Sequence, residues 1–383
     1  MFDIPLGWLQ LKREKLRFAV ALLGVSFAVV LILMQLGFRE ALFDSAVRFH
    51  NALDGDIVII SREFPIIVQP YSFSSRRIYQ ARGIEGVESV TPIYLGLAPW
   101  KNPDTHLVRV IFVIGIDPAE RVLTLADVNA QRAAITREDQ VLFDELSRPE
   151  FGLIAPRVRS GTPVEVEVSN RRLRVVGLYG LGTSFGIDGS MVTSETNFRR
   201  IFPGRQRGVI EIGLVRVTPG SDPERVRDAI RERLPEDVEV LTRAQFVQRE
   251  IDSWDTATPI GYVFGFGVIV GMVVGGIIVY QILFADVNDH LPEYATLKAM
   301  GYSNAFLSGV VIQQAVILAV LGFIPAVGLS LVLYRVSGDA TRLPLEMTGA
   351  RALFVLGLTV AMCTLSALMA LRKVRSADPA EIF

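Results

Sequence analysis

One cysteine, Cys363, stands among 383 residues, so no disulfide forms within the chain and no cysteine-based metal site can be assembled. Histidine is nearly as scarce. His50, His106 and His290 are scattered, without the H-E-x-x-H spacing of a metal site, and read as lone surface residues. No G-x-x-x-x-G-K-[ST] loop occurs, so the amides and lysine that would cradle ATP phosphates are missing. The glycine-rich stretch Gly180–Gly189 lacks that lysine and reads as a flexible loop. These absences give no catalytic residue, no metal and no cofactor of the chain's own. The net charge of −1 excludes the dense basic surface that nucleic acid requires.

Hydrophobic residues, by contrast, make up 50% of the chain and charged ones 21%, with a mean hydropathy of +0.39. They gather in four charge-free blocks, residues 18–38, 259–284, 305–334 and 352–371. Each suffices to cross a hydrocarbon core of about 30 Å as a helix. The third, about 30 residues long, must tilt, kink at Pro325 or project beyond the bilayer. A charge at a span centre costs roughly 3 kcal/mol, and none is found in the blocks, which also argues against an ion-coupled antiporter. Lys12, Arg13, Lys15 and Arg17 precede the first block, and Arg372, Lys373 and Arg375 follow the fourth. By the positive-inside rule both termini are cytoplasmic. Residues 1–17, with Trp8, Leu9 and Leu11 among the basic cluster, read as a cytoplasmic amphipathic segment in the headgroup layer.

Residues 39–258 have soluble patterning and are expected outside the cytoplasm. Ile57–Ile60 is a strand, a helix opens at Arg76 and ends near Gly83, and VESVTPIYLGLA is a strand again. The order returns with a strand over Gly208–Val217, a helix over Asp222–Leu234 capped by Asp222 with Pro223 in its first turn, and a strand over Val238–Leu241. Two such units imply an α+β domain split by an insertion, in which Pro163–Val168 and Arg172–Val176 are β structure. Amphipathic stretches after Phe38 and before Pro259 are expected to prolong the first two spans as a stalk. The fold class is thus a membrane protein with four transmembrane α-helices and a large α+β extracytoplasmic domain inserted between the first and second. In the second span Gly261 and Gly265, then Gly267, Gly271 and Gly275, stand at spacings of four, small residues that pack within one subunit or against a second copy.

Residues 285–304 form a loop on the cytoplasmic side, and 335–351 a short loop on the other; 372–383 is a cytoplasmic tail. Within the first loop Pro292 and Glu293 suit a helix N-terminus and Gly301 the position past its C-terminus, which predicts a short helix over Pro292–Met300 with Tyr294, Leu297 and Met300 on an apolar ridge.

The motif LPEYATLKAMGYS resembles the loop of FtsX/MacB-like ABC permeases, in which a Glu-x-x-x-Leu-(Lys/Arg)-Ala-(Met/Leu)-Gly pattern forms the helix that docks on the ATPase. It is matched by Glu293, Leu297, Lys298, Ala299, Met300 and Gly301. The ending RKVRSADPAEIF looks like that family's basic, Asp-Pro-Ala-Glu terminus. The N-terminal stretch IPLGWLQLKREKLRFAVALLGVSF, SRPEFG and DHLPEYATLKAMGY are similar to DevC-type permeases of cyanobacteria. The resemblance implies a homodimer in the inner membrane and a separate DevA-like ATPase that binds ATP and Mg. It also implies a DevB-like periplasmic adaptor, through it a TolC-type outer-membrane protein, and membrane lipids as surroundings. Export of a lipid-like or other amphiphilic substrate is the function implied. An FtsX-like regulator of a cell-wall hydrolase and a lipoprotein-extraction permease are the alternatives.

Overall fold

The computed structural model describes residue 8, residues 15–256 and residues 259–376. The basic cluster Lys12–Arg13, most of the amphipathic N-terminal segment and the Asp-Pro-Ala-Glu ending lie outside the described residues. Two compact units emerge: a membrane unit of residues 1–41, 260–341 and 345–383, and a domain of residues 42–259 with 342–344.

In chain order, helix α1 runs Lys15–Ala46 and belongs to the domain from Leu42 on; α2 is Arg48–Asn51. Then follow β1 (Ile57–Ser61), β2 (Phe73–Ser74), α3 (Arg76–Arg82), β3 (Val87–Lys101), β4 (Val108–Ile116), α4 (Ala126–Gln131), β5 (Gln140–Asp144) and α5 (Ile154–Arg159). The domain continues with β6 (Val164–Val168), β7 (Arg171–Tyr179), β8 (Ser190–Ser194), α6 (Glu195–Ile201), β9 (Val209–Ile210), β10 (Ile212–Val217), α7 (Pro223–Arg233), β11 (Val238–Thr242) and α8 (Arg243–Thr256). The last helices are α9 (Pro259–Asp289), α10 (Leu291–Ala299), α11 (Asn304–Thr341) and α12 (Gly349–Ser376).

One half of the domain is a split βαβ: β1-α3-β3 and β10-α7-β11 interleave in the antiparallel order β11-β1-β10-β3, the ferredoxin-like arrangement. Strand β1 explains why both sheet faces are covered. Ile57 and Ile59 pack under Ile78 of α3 and Ile230 of α7, whereas Val58 and Ile60 pack under Phe49 and Phe246 of α2 and α8. Asp222 caps α7 by accepting from the Glu224 amide at 3.0 Å. The expected strand over Gly208–Val217 is broken at Glu211, a buried residue whose carboxylate accepts from the Leu95 amide at 2.9 Å and pairs with Arg205.

The other half is the insertion. Strand β3 outlasts its partner β10, and its C-terminal part pairs with β4; the order β3-β4-β8-β5-β7-β6 then returns to β3, which closes a six-stranded barrel. Trp100, Phe143, Met191 and Val166 fill it, and Phe151 and Ile154 plug it. The β6–β7 hairpin turns through Ser169 and Asn170, both at positive φ.

All four membrane helices are long and apolar enough to cross a bilayer. They extend past the sequence blocks: α9 reaches Asp289, and α11 continues helically through Pro325 to Thr341, so residues 335–341 are helix and the following loop narrows to 342–348. At 1.5 Å per residue, α11 is roughly 57 Å long and must project beyond the hydrocarbon core. The expected surface location holds for His106 but not for the other histidines: His50 and His290 are buried. His50 lies 3.5 Å from the Glu250 carboxylate and His290 the same distance from that of Asp286.

Candidate coupling site

The short helix α10 begins directly after α9. Pro292 occupies its first turn, where a missing N–H costs nothing, and the exposed Glu293 carboxylate complements the N-terminal dipole. Its end is a Schellman motif. The amide of Tyr302 donates to the Leu297 carbonyl and that of Gly301 to the Lys298 carbonyl, both at 3.1 Å, with Gly301 at φ +94°. Only a residue without Cβ takes that backbone cheaply, which is why the motif ends in glycine.

The faces of α10 divide differently from the sequence expectation. Leu297 packs on the apolar core of the membrane unit, so it belongs to the base of the helix rather than to a free ridge. Met300 is 63% exposed and Tyr302 45%, while Pro292, Glu293, Thr296 and Gly301 are exposed beside them and Lys298 is half-buried. The side chain of Tyr294 lies outside the described residues. The Tyr302 ring also lies tilted against that of Phe306 of α11, centroids 4.8 Å apart, which steadies the turn that presents it.

Three polar residues beneath α10 make contacts that sequence reasoning did not find. Asp286, near the end of α9, is buried and accepts from Gln314 Nε2 of α11 at 2.9 Å. His290 stands at the N-cap position of α10, and its Nδ1 lies 2.9 Å from the Asp286 carbonyl oxygen of α9. Arg17 of α1 pairs with Asp289 at the end of α9. These contacts tie the end of α9 to α1 and α11 directly before α10 begins. The sequence signals were that Asp286 and Asp289 follow an apolar block closely and that Gln314 is a polar residue inside the next block, suited to helix-to-helix hydrogen bonding.

The opposite end of the membrane unit holds a second polar cluster. Arg351 of α12 is buried; its Nε donates to Glu40 of α1 at 2.9 Å, and its Nη1 to the Tyr334 hydroxyl of α11 at 3.2 Å and to the Glu346 carbonyl at 2.8 Å. Tyr334 donates to the Leu33 carbonyl, and a Cβ at Gly37 would overlap the Tyr334 ring.

The glycine face of α9 also divides. Gly271 sits against Ile32, a Cβ at Gly267 would overlap Gln35, and one at Gly275 would overlap Ala28, so these three seat α9 on α1 of the same chain. Gly265 faces open space and Gly261 is half-buried.

Comparison with known proteins gives these features a family. Residues 18–233 match the MacB-like periplasmic core domain and residues 265–379 the FtsX-like permease C-terminal domain. The first match alone covers more than half of the chain. The chain belongs to the FtsX/MacB-like ABC transporter permeases, membrane subunits with a periplasmic-type α+β domain between the first two membrane helices.

Among solved structures, the chain is similar to the extracellular domain of the noncanonic ABC-type transporter YknZ from Gram-positive bacteria, at 13% identity and TM-score 0.34 over 49% of this chain and 98% of that one. It is similar to the periplasmic region of MacB from Actinobacillus actinomycetemcomitans, at 12% identity and TM-score 0.35 over 54% and 96%. A permease-protein domain from Porphyromonas gingivalis gives 16% identity and TM-score 0.31 over 50% and 90%. No curated protein matches the chain. The family assignment rests on the two domain matches.

Proposed function

We propose that this chain is the permease of a tripartite exporter, in which a separate DevA-like ATPase that binds ATP and Mg docks on α10 and drives movement of the periplasmic domain. The observation that carries the reading is α10 itself. It presents Glu293, Thr296, Met300 and Tyr302 on a base held by Leu297 and by the Asp286–Gln314 bond, so a push on the exposed side is passed to α9 and α11. A docking surface needs such a rigid seat, because a loose helix would absorb the displacement.

In this reading two copies of the chain work with a DevB-like adaptor and a TolC-type duct, and the cargo is a lipid-like amphiphile. Both termini are cytoplasmic and the large domain periplasmic. Met300→Glu tests the docking. A charge forced into an apolar contact costs 1.4 kcal/mol or more, so ATPase association in the assembled complex should fall by roughly tenfold or more with membrane insertion unchanged. Unchanged association and ATP turnover would overturn the proposal. Topology is checked at Glu150→Cys, expected to react with an impermeant thiol reagent in intact cells while Cys363, buried in its helix, does not. Co-purification of a cell-wall hydrolase instead of an adaptor would replace export by regulation.

A further inference from the structure

The stretch Gly180–Gly189 connects β7 to β8, and its composition reads as flexible, yet it is held from several sides. The buried Asp144 carboxylate, at the end of β5, accepts from the amides of Leu181 at 3.1 Å and Gly182 at 2.9 Å, from the Leu146 amide at 3.1 Å and from Ser190 Oγ at 3.1 Å. Tyr179 and Ser190, the residues flanking the loop, are hydrogen-bonded to each other at 2.8 Å. Burial pushes the Asp144 carboxyl above the usual carboxylate range against the pull of these donors. The loop is thereby fixed to the barrel.

Its outer part holds three other segments of the domain. Arg48 Nη1 of α2, just after α1, donates to the Thr183 carbonyl at 2.9 Å. Thr183 Oγ1 donates to the carbonyl of Arg342, the residue that follows α11, at 3.2 Å. The ring of Phe185 meets Trp254, near the end of α8, edge-on with centroids 5.8 Å apart. Gly182 is fitted to this role twice: it sits at φ +91°, and a Cβ there would overlap the Arg48 guanidinium. Arg48, Trp254 and Arg342 lie on the three stretches of chain that lead from the membrane helices into the domain or back.

We propose that the Gly180–Gly189 loop is a latch through which one loop of the barrel grips all three of these stretches, so that their displacement is delivered to the barrel rather than lost in the connections. The proposal rests on the transmission reading above and adds the place where it passes into the insertion. Thr183→Val removes one hydroxyl and Phe185→Ala one ring, and neither touches the Asp144 anchor.

The test is hydrogen exchange on the full chain assembled with its ATPase in lipid nanodiscs, nucleotide-free and ATP-trapped. In the unmodified complex, trapping should change exchange both in α10 and in the barrel strands β4–β8. In the Thr183→Val/Phe185→Ala variant the change should persist in α10 and vanish from the barrel, while ATP turnover stays within twofold and export drops at least tenfold. Gly182→Ala should do the same by displacing Arg48 from Thr183. Retained protection of the Leu181 amide and of the barrel strands certifies that the loop variants are folded. A barrel response in both variants equal to that of the unmodified complex overturns the latch alone. Absence of any barrel response in the unmodified complex overturns the transmission reading and the latch with it.

Discussion

At one end of the membrane unit a buried guanidinium is shared among Glu40, the Tyr334 hydroxyl and the Glu346 carbonyl, so α1, α11 and α12 are joined through one side chain. At the other end the polar groups lie below α10, and what faces outward is Met300, Tyr302 and the first turn with Glu293. Both ends bury charge, but Arg351 spends its donors on the chain's own helices, while Asp286 supports a helix whose outer side is left uncovered. The first arrangement resists separation of helices; the second offers a surface. Burying polar groups in a bundle is costly unless they are paired, so their placement shows where the fold tolerates no slack.

Leu297→Glu should produce the largest effect, because it turns a carboxylate into the apolar core under α10. A loss of roughly 2–5 kcal/mol is expected, visible as a lowered melting temperature of the purified chain before any ATPase is added. A variant that melts like the unmodified chain would show that Leu297 is not part of the base. Glu40→Gln comes second. It leaves the Arg351 charge with neutral partners only, and since Glu40 is partly exposed the cost should be about 1–2 kcal/mol, with ATPase association untouched. Loss of association without loss of stability would erase the distinction between the two ends. Glu293→Lys is the smallest. Reversing a charge at an exposed helix N-terminus costs about 0.3–1 kcal/mol, so melting should barely move, and association should weaken less than in Met300→Glu.

The ferredoxin-like half was legible because its signals are local: a strand, a capped helix with Pro223 in its first turn, and a strand again. Helix α10 was legible for the same reason, between Pro292 and Gly301. The barrel was not. Val108–Ile116, Gln140–Asp144 and Ser190–Ser194 are short, largely buried runs without clean alternation, and their partners are set by pairings such as β4 with β8 that no local pattern announces. Two of the histidines failed likewise, since His50 is buried against Phe246 and Glu250, far along the chain. Glycine content indicated mobility at Gly180–Gly189 because composition reports backbone freedom, not the carboxylate of Asp144 that removes it. Leu297 packs on the membrane core, a contact that spacing within nine residues does not announce, because it does not say which face meets the bundle.

Strand β3 also bears on how the chain folds. It pairs with β10 through its first half and with β4 through its second, so the β10–β3 ladder cannot form until the whole excursion from Asn102 to Glu211 has been brought back to its starting point. Closing so long a loop as open coil is entropically unfavourable and slow. The barrel strands other than β3 all lie within that excursion, so their collapse shortens it and delivers Ile212 beside Ile93. The expected order of assembly therefore has the inserted half first and the half that was simpler to read in sequence completed last, which pulsed hydrogen exchange during refolding would check.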